Sequence, residues 1–109
     1  MLEEVSKDLL HKINGFDNHE FVVHFSDEPT GLEGFVAIHN TSLGPAVGGT
    51  RMHAFVTQEE ALADAFKLSR AMTYKCALAG VPYGGGKCVI MGDPRQKIPA
   101  FLDAYGRVI

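Results

Sequence analysis

Apolar residues recur along the chain with two spacings, and each spacing predicts a different kind of element. Residues 2–13 are apolar at every third or fourth position, which predicts a helix that ends at Asn14 and Gly15. Residues 21–25 and 35–40 are instead short apolar runs bounded by turn residues, which predicts two strands.

The clearest helix signal begins at Thr57. Thr57 is followed three residues later by Glu60, and this pair forms a capping box in which each residue satisfies a backbone N–H of the first turn. The apolar stripe behind it consists of Ala61, Leu62, Ala65, Phe66, Leu68 and Met72. We therefore predict a helix over residues 58–79.

Two glycine-rich stretches flank this helix. Residues 43–52 contain three glycines and could hold a short strand around 49–52. Residues 81–86 contain a proline and three glycines, which are expected to break the helix. A short buried strand is predicted over 87–92, a turn at Asp93 and Pro94, and an amphipathic helix from Phe101 onward. Because that helix is still apolar at Ile109, we expect a truncated chain.

Strands that alternate with helices predict an α/β domain. We expect a layered α/β/α arrangement around a small sheet that is largely parallel or mixed. The chain has 109 residues, which corresponds to a single domain over 1–109.

Composition narrows the class of protein further. Hydrophobic residues make up 46% and charged residues 21% of the chain, which is typical of a globular domain. The sequence has no apolar run of about 18 residues, which argues against a membrane span. Its acidic start does not resemble a secretory signal, so we expect a cytoplasmic location. The cysteines Cys76 and Cys88 are then expected to be reduced.

Charge is unevenly distributed although the net charge is only −3. Residues 1–66 carry a net charge of −8 and residues 67–97 a net charge of +5. A nucleic-acid interface would need a larger basic excess with interleaved aromatic residues. The local excess suits a small anionic ligand such as a carboxylate, or it is a solvated helix end and a basic loop. The five histidines show no metal-ligand spacing, so we predict no metal and give them structural or surface roles.

The segment Gly84–Lys87 is similar to a phosphate-binding loop but does not fit one. A Walker loop has glycine five residues before its last glycine, where this chain has Val81, and Ser or Thr after the lysine, where it has Cys88. The glycines also follow a helix and precede a strand, which is the reverse of the phosphate-binding order. No G-x-G-x-x-G follows a strand, so the sequence lacks a dinucleotide-binding fingerprint.

Two lysines remain as candidate functional residues. Lys75 lies near the end of the predicted helix and Lys87 follows three glycines. If both ammonium groups reached one cleft, their repulsion would make each easier to deprotonate. One could hold a carboxylate, and the other could act on a carbonyl or activate water. The alternative is that Lys75 caps the helix end and Lys87 is solvated.

Three motifs resemble one known family. The segments 44–52 (GPAVGGTRM), 72–75 (MTYK) and 84–87 (GGGK) occur in this order. Together they resemble the N-terminal substrate-binding and dimerisation domain of the glutamate, leucine, phenylalanine and valine dehydrogenases, most closely the leucine, valine and phenylalanine branch.

The resemblance implies an activity and a set of roles. Its members reversibly deaminate L-amino acids to 2-oxo acids and ammonia with NAD or NADP. Lys87 matches the catalytic lysine, Lys75 matches the position that binds the substrate carboxylate, and Gly48, Gly49 and Met72 match positions that line the substrate site.

Val47 bears on the substrate. Glutamate-specific members carry a lysine at the matching position. A buried side-chain carboxylate facing Val47 would lack a partner, so we expect an apolar amino acid, either branched-chain or aromatic.

The resemblance also implies parts that this sequence does not contain. The catalytic aspartate and the nucleotide-binding domain would follow Ile109, so the cofactor would be bound outside this chain, and the isolated chain should be inactive. The likeness implies a homo-oligomer that acts on a small molecule. The alternative is a non-catalytic module of the same fold that oligomerises or senses an amino acid.

Overall fold

The computed structural model describes residues 1–92 of the chain. The predicted turn at Asp93 and Pro94 and the predicted helix from Phe101 lie outside these residues. The strands are β1 (Leu2–Glu4), β2 (Phe21–Asp27), β3 (Leu32–Asn40), β4 (Ala46–Val47), β5 (Thr50–His53) and β6 (Gly84–Met91). The helices are α1 (Lys7–Leu10) and α2 (Gln58–Ala79), and a single 3-10 turn spans Glu28–Thr30.

The six strands form one mixed sheet. Strands β1, β2, β3 and β6 are adjacent in that order and pair antiparallel. Both β4 and β5 pair in parallel with the other side of β6. β6 is therefore an interior strand, and the segment that carries Lys87 is held on both sides.

The helix α2 spans the predicted residues because both of its ends are capped. The Thr57 hydroxyl accepts a hydrogen bond from the Glu60 amide at 3.1 Å. Gly80 ends the helix in the left-handed conformation with φ 71°, which glycine adopts without steric cost. Its N–H donates to the carbonyls of Ala77 and Cys76.

The core lies between α2 and one face of the sheet. Its buried residues are Leu10, Val22, Phe35, Ala37, Ala61, Leu62, Ala65, Phe66 and Val89. A smaller cluster of Phe25, Leu32 and Ile90 is buried on the other face. The predicted apolar stripe is correct as far as Phe66, but Leu68 and Met72 are only half-buried, and Ser69 and Cys76 lie on the buried face instead.

The predicted helix over residues 2–13 is wrong at its start. Residues 2–4 form a strand whose Leu2 pairs with Phe25, and helical structure is confined to the four residues of α1. Leu10 is buried, whereas Leu2 and Leu9 are 57% and 58% exposed. The helical spacing therefore does not produce a buried stripe, and pairing with a distant strand determines the local structure.

The three glycines before Lys87 lie outside the predicted strand over 87–92, and this predicted start is wrong. They do not form a loop, because β6 already begins at Gly84, and all three glycines are buried. The observed strand β6 therefore starts three residues earlier than the predicted one. The helix does end where predicted, at Ala79.

The prediction of an α/β domain with a mixed sheet is confirmed. Within residues 1–92 no helix is both long enough and apolar enough to cross a membrane.

Candidate active site

Lys87 lies in the middle of the sheet. It pairs with Ala37 of β3 and is half-buried. On the other side of β6 runs the segment between β4 and β5, where the Gly49 carbonyl accepts a hydrogen bond from the Cys88 amide at 3.2 Å. A Cβ placed on Gly49 would lie 3.5 Å from Lys87 Nζ. The absence of a side chain at Gly49 therefore leaves space beside the ammonium group.

Val47 faces the same side of the sheet as Lys87. Val47 pairs with Gly85, and paired residues in a sheet point to one face. Lys87 is two residues beyond Gly85 along the strand and points to that face too. The same face carries Ala37 and Val89, which pack in the core beneath α2. A half-buried valine and a half-buried lysine are therefore brought to the α2 side of the sheet.

Gly48 is used by the fold itself. A Cβ at this position would collide with the carbonyl group of Gly86. The close approach of the segment to β6 therefore requires glycine at position 48.

The helix α2 contributes Met72 and Lys75. These residues are three positions apart and therefore lie on neighbouring parts of one helix face. Met72 is half-buried and Lys75 is exposed. Thr73, next to Met72, lies over Gly85, because a Cβ on Gly85 would collide with the Thr73 amide nitrogen and hydroxyl. The structure thus brings Val47, Gly48, Gly49 and Lys87 together, and joins the helical turn of Met72 and Lys75 to them through Thr73. That the two ammonium groups meet in one cleft stays a prediction.

The alternative role for Lys75 as a helix cap is not supported. The last turn of α2 contains no basic residue, and Gly80 closes the helix end through its own backbone N–H. Lys75 lies a turn further back.

Sequence reasoning missed a polar cluster beside α2, in which the buried rings of His19 and His39 lie next to the exposed Asp17. His19 is 1% and His39 is 7% exposed, and their rings pack edge to face with centroids 4.7 Å apart. His39 Nε2 lies 3.0 Å from Asp17 Oδ2. The opposite ring nitrogen, Nδ1, lies 2.8 Å from the Thr73 hydroxyl. His19 and His39 are thus both buried and hydrogen-bonded within the fold.

The cluster has defined electrostatics. The hydrogen bond from His39 lowers the pKa of the Asp17 carboxyl, and the guanidinium of Arg70 lowers it further. Burial lowers the pKa of His19 because desolvation disfavours the imidazolium form, although the hydrogen bond to the Phe66 carbonyl opposes this effect. Arg70 also stacks on the Tyr74 ring, with its guanidinium carbon 4.8 Å from the centroid.

A signal for this cluster was present in the sequence. Ser69 and Thr73 are four residues apart and interrupt the side of α2 that also carries Phe66 and Cys76. Polar residues on a buried helix face need hydrogen-bond partners, so their spacing indicates a polar contact at this point.

Arg51 forms an ion pair rather than part of a cluster of catalytic groups. Its guanidinium lies 3.1 and 3.2 Å from the two carboxylate oxygens of Asp64. This pair joins β5 to α2.

Two cavities lie away from the predicted lysines. One of about 470 Å³ is lined by residues that include Arg51, Asp64 and Lys67, and one of about 740 Å³ by residues of β1, α1 and the start of α2. Among residues 1–92 no group of three or more His, Cys, Asp or Glu side chains could hold a metal ion.

The described residues do not fit a dinucleotide cofactor. Dinucleotide-binding glycines form a turn between a strand and the helix that follows it. Here Gly84, Gly85 and Gly86 are inside a strand, and protein atoms occupy the space beside Gly85. We assign no residue of this part of the chain to NAD and derive no step through it.

Comparison with known proteins places these features in a family. The sequence model of "Glu/Leu/Phe/Val dehydrogenase, dimerisation domain" matches residues 18–107. The phenylalanine dehydrogenase of Lysinibacillus sphaericus is 48% identical over 113 residues, covering 99% of this chain and 29% of that protein. The leucine dehydrogenase of Geobacillus stearothermophilus is 53% identical over 93 residues, covering 84% of this chain and 25% of that protein.

A solved structure agrees with the fold. The L-tryptophan dehydrogenase of Nostoc punctiforme superposes with a TM-score of 0.80 at 42% identity, covering 93% of this chain and 29% of that one. The chain therefore spans less than a third of the length of each of these relatives. The match over residues 18–107 and the shared fold show that the chain belongs to the Glu/Leu/Phe/Val dehydrogenase family, within its dimerisation domain.

Proposed function

We propose that the protein containing this chain oxidatively deaminates an apolar L-amino acid to the 2-oxo acid and ammonia. Its relatives act, by their names, on phenylalanine, leucine and tryptophan. We propose NAD or NADP as the oxidant. A non-catalytic module of the same fold is the alternative that the experiments below test.

One observation supports this proposal most directly. Val47 and Lys87 share the α2 face of the sheet, two positions apart in register, and Gly49 leaves space beside the Lys87 ammonium. An apolar side chain is thus adjacent to a half-buried amine that could transfer protons. An apolar amino acid would need both groups, the valine for its side chain and the amine for proton transfer.

Each residue has a separate proposed role. Lys75 binds the substrate carboxylate through its charge. Lys87 exchanges a proton at the C2 oxygen or at the attacking water. Val47 contacts the apolar side chain of the substrate, Met72 extends that contact, and Gly48 and Gly49 bring the backbone close to the bound molecule.

The first experiment tests Lys87. The full reading frame that carries these residues is expressed and assayed for reduction of NAD and NADP with phenylalanine, leucine, valine, tryptophan and glutamate. Lys87→Ala is expected to lower kcat by at least about 100-fold, on the scale of general acid–base catalysis. Near-normal turnover of this variant would contradict the role of Lys87. Absence of activity in the unsubstituted protein with every substrate would favour the non-catalytic module.

The second experiment tests Lys75 against a matched lysine on the same helix. Lys75→Ala should mainly raise KM for the amino acid, because it removes a contact made to the bound substrate. Lys67 is also exposed on α2 but lies two turns earlier, so Lys67→Ala should leave KM unchanged. Equal effects of the two substitutions would show a general charge effect rather than carboxylate binding.

The third experiment tests Val47. Val47→Lys introduces a cation next to the proposed position of the substrate side chain and should shift the ratio of kcat/KM values toward glutamate. The gain is expected because a buried carboxylate is costly without a partner. An unchanged preference would place the substrate side chain elsewhere.

We also propose a cytoplasmic homo-oligomer that acts on small molecules. The matched family model describes a dimerisation domain, which supports association of identical copies. Light scattering of the full protein at several concentrations measures its assembly.

A further inference from the structure

Thr73 connects the two elements that carry the proposed lysines. It lies on α2 one position after Met72 and two before Lys75. Its amide and hydroxyl fill the space where Gly85 would otherwise have a side chain, and Gly85 is two residues before Lys87. The position of Thr73 against β6 therefore sets how the turn of Lys75 lies relative to the strand of Lys87.

His39 holds the hydroxyl of Thr73. Asp17 is a carboxylate with a lowered pKa and can only accept hydrogen bonds, so we assign the ring proton of His39 to Nε2. In the neutral ring Nδ1 is then an acceptor, and the Thr73 hydroxyl donates to it at 2.8 Å. The other acceptor near this hydroxyl, the Ser69 carbonyl, is at 3.4 Å. We assign the hydroxyl proton to the shorter contact, the one with His39.

The far end of this chain of hydrogen bonds returns to α2. Asp17 accepts from Arg70 Nε at 3.0 Å, and the Asp17 amide donates to His19 Nδ1 at 3.1 Å. His19 Nε2 in turn lies 3.0 Å from the Phe66 carbonyl. Three points on the helix are thus tied to the segment around Asp17, and within the described residues no buried side-chain polar atom of the cluster lacks a partner. The buried members of this network, His19, His39 and Ser69, are thus hydrogen-bonded, whereas Asp17 and Arg70 lie at the surface.

We propose that His39 is a positioning residue for the dehydrogenase reaction, acting through its hydrogen bond from Thr73 to fix the turn of Lys75 against the strand of Lys87. The proposal rests on the proposed function. His39 itself reaches neither lysine; it determines the geometry in which they receive the substrate. Misplacement of reacting groups by about 1 Å can cost about 100-fold in rate, so loss of a single hydrogen bond at this junction is expected to lower the rate.

The test separates the two nitrogens of His39. In the full protein, His39→Asn places a side-chain oxygen near the position of Nδ1 and keeps the contact with Thr73. His39→Gln reaches toward Asp17 instead and loses the contact with Thr73. Thr73→Val removes the hydroxyl at nearly constant volume, and Thr73→Ser keeps it.

A matched control removes a similar hydroxyl far from the lysines. Thr30 donates to Asp27 at 2.7 Å within the connection between β2 and β3, so Thr30→Val loses a hydrogen bond of the same kind. Each variant is checked by circular dichroism and thermal unfolding, and kcat and KM are measured well below its Tm.

Each variant has one expected effect on kcat. Thr73→Val and His39→Gln should lower kcat by about 10-fold or more, with KM changed by less than about threefold, since Lys75 still binds the carboxylate. Thr73→Ser and His39→Asn should retain kcat within about threefold, and Thr30→Val should leave kcat unchanged.

Two results would overturn the inference. The first is that Thr73→Val is folded, as judged by circular dichroism, and has the same kcat as Thr30→Val. The second is that His39→Gln and His39→Asn have equal kcat values. This comparison decides the question if Thr73→Val does not fold. If the unsubstituted protein has no dehydrogenase activity, the proposed function itself is contradicted. That outcome differs from both results above, which concern only the role of His39.

Discussion

Gly85 offers the sharpest test of how the helix and the sheet fit together. Replacing it with alanine adds one methyl group to the interior strand β6. The new Cβ would be placed among the Thr73 amide nitrogen, the Ser69 carbonyl oxygen and the Thr73 hydroxyl, closer to each than real Cβ atoms approach. Two of these atoms belong to the backbone of α2, so no side-chain rotation can relieve the collision.

The cost can be estimated from this geometry. Overpacking of a well-packed core typically costs about 1–3 kcal/mol, and a collision with helix backbone belongs at the upper end. Alanine also recovers about 0.5–1 kcal/mol, because glycine loses more backbone freedom on folding. The net expectation for Gly85→Ala is a loss of about 2 kcal/mol or more in the free energy of unfolding, which is roughly a 30-fold smaller ratio of folded to unfolded chains.

The neighbouring glycine provides the control. A Cβ on Gly86 meets the Ala46 Cβ at 3.3 Å and the Ala37 carbonyl at 3.4 Å, which a shift of a few tenths of an ångström would relieve. Gly86→Ala should therefore change stability by less than about 1 kcal/mol. Both variants are compared with the unsubstituted chain by urea unfolding followed by circular dichroism at 222 nm. Equal midpoints for the two variants would refute the argument that Gly85 is required by the approach of α2.

Three further predictions concern stability and the site. Because burial lowers the pKa of His19, the unfolded chain binds more protons than the folded chain below about pH 6.5, and stability should fall as pH drops through the folded-state pKa. His19→Gln should therefore flatten a plot of unfolding free energy against pH. An unchanged slope in this variant would contradict the prediction. Thr57→Ala should cost about 1 kcal/mol by removing the cap of α2, and Ser6→Ala, which uncaps only the four-residue α1, should cost less in the same urea titration. Gly49→Ala should leave the urea midpoint within about 0.5 kcal/mol, since its Cβ meets only Lys87 Nζ at ordinary contact distance, yet lower kcat/KM in the full protein; unchanged kinetics would show that the space beside Lys87 is not used.

The sequence predicts α2 well because its signals are local. Thr57, Glu60 and Gly80 specify both ends within a few residues of the ends themselves. The strand β1 could not be predicted in this way, since its partner Phe25 is more than 20 residues away. The helical spacing of Leu2 and Leu9 suggested otherwise, but neither residue is buried.

The glycines of β6 show a second limit. Glycine disfavours strands by its own conformational freedom, so a loop is the natural local prediction for residues 84–86. In the structure residues 84–86 nevertheless belong to β6, and only glycine fits beneath Thr73 at position 85. Local preference thus gives way where two elements approach closely.

The roles of the candidate-site residues stay predictions. Spacing rejected a phosphate-binding loop and left Lys75 and Lys87, and the resemblance supplied their roles and those of Val47, Gly48, Gly49 and Met72. The buried cluster of His19 and His39 depends on the fold, because its members come from separate segments that meet only when α2 covers the sheet. Ser69 and Thr73 on the buried face were the local trace of that contact.

The interior position of β6 has a consequence for biosynthesis. A chain emerges from the ribosome in order from its N-terminus, and β1, β2 and β3 can pair as soon as residue 40 is available. The free edge of β3 then waits for a partner until Met91 has been added, since β6 inserts between β3 and the pair β4 and β5. During that interval the nascent sheet presents an open edge of the kind that recruits other chains. The strand that closes the edge also carries Lys87, so the growing polypeptide acquires its paired sheet and its proposed catalytic lysine in a single late step.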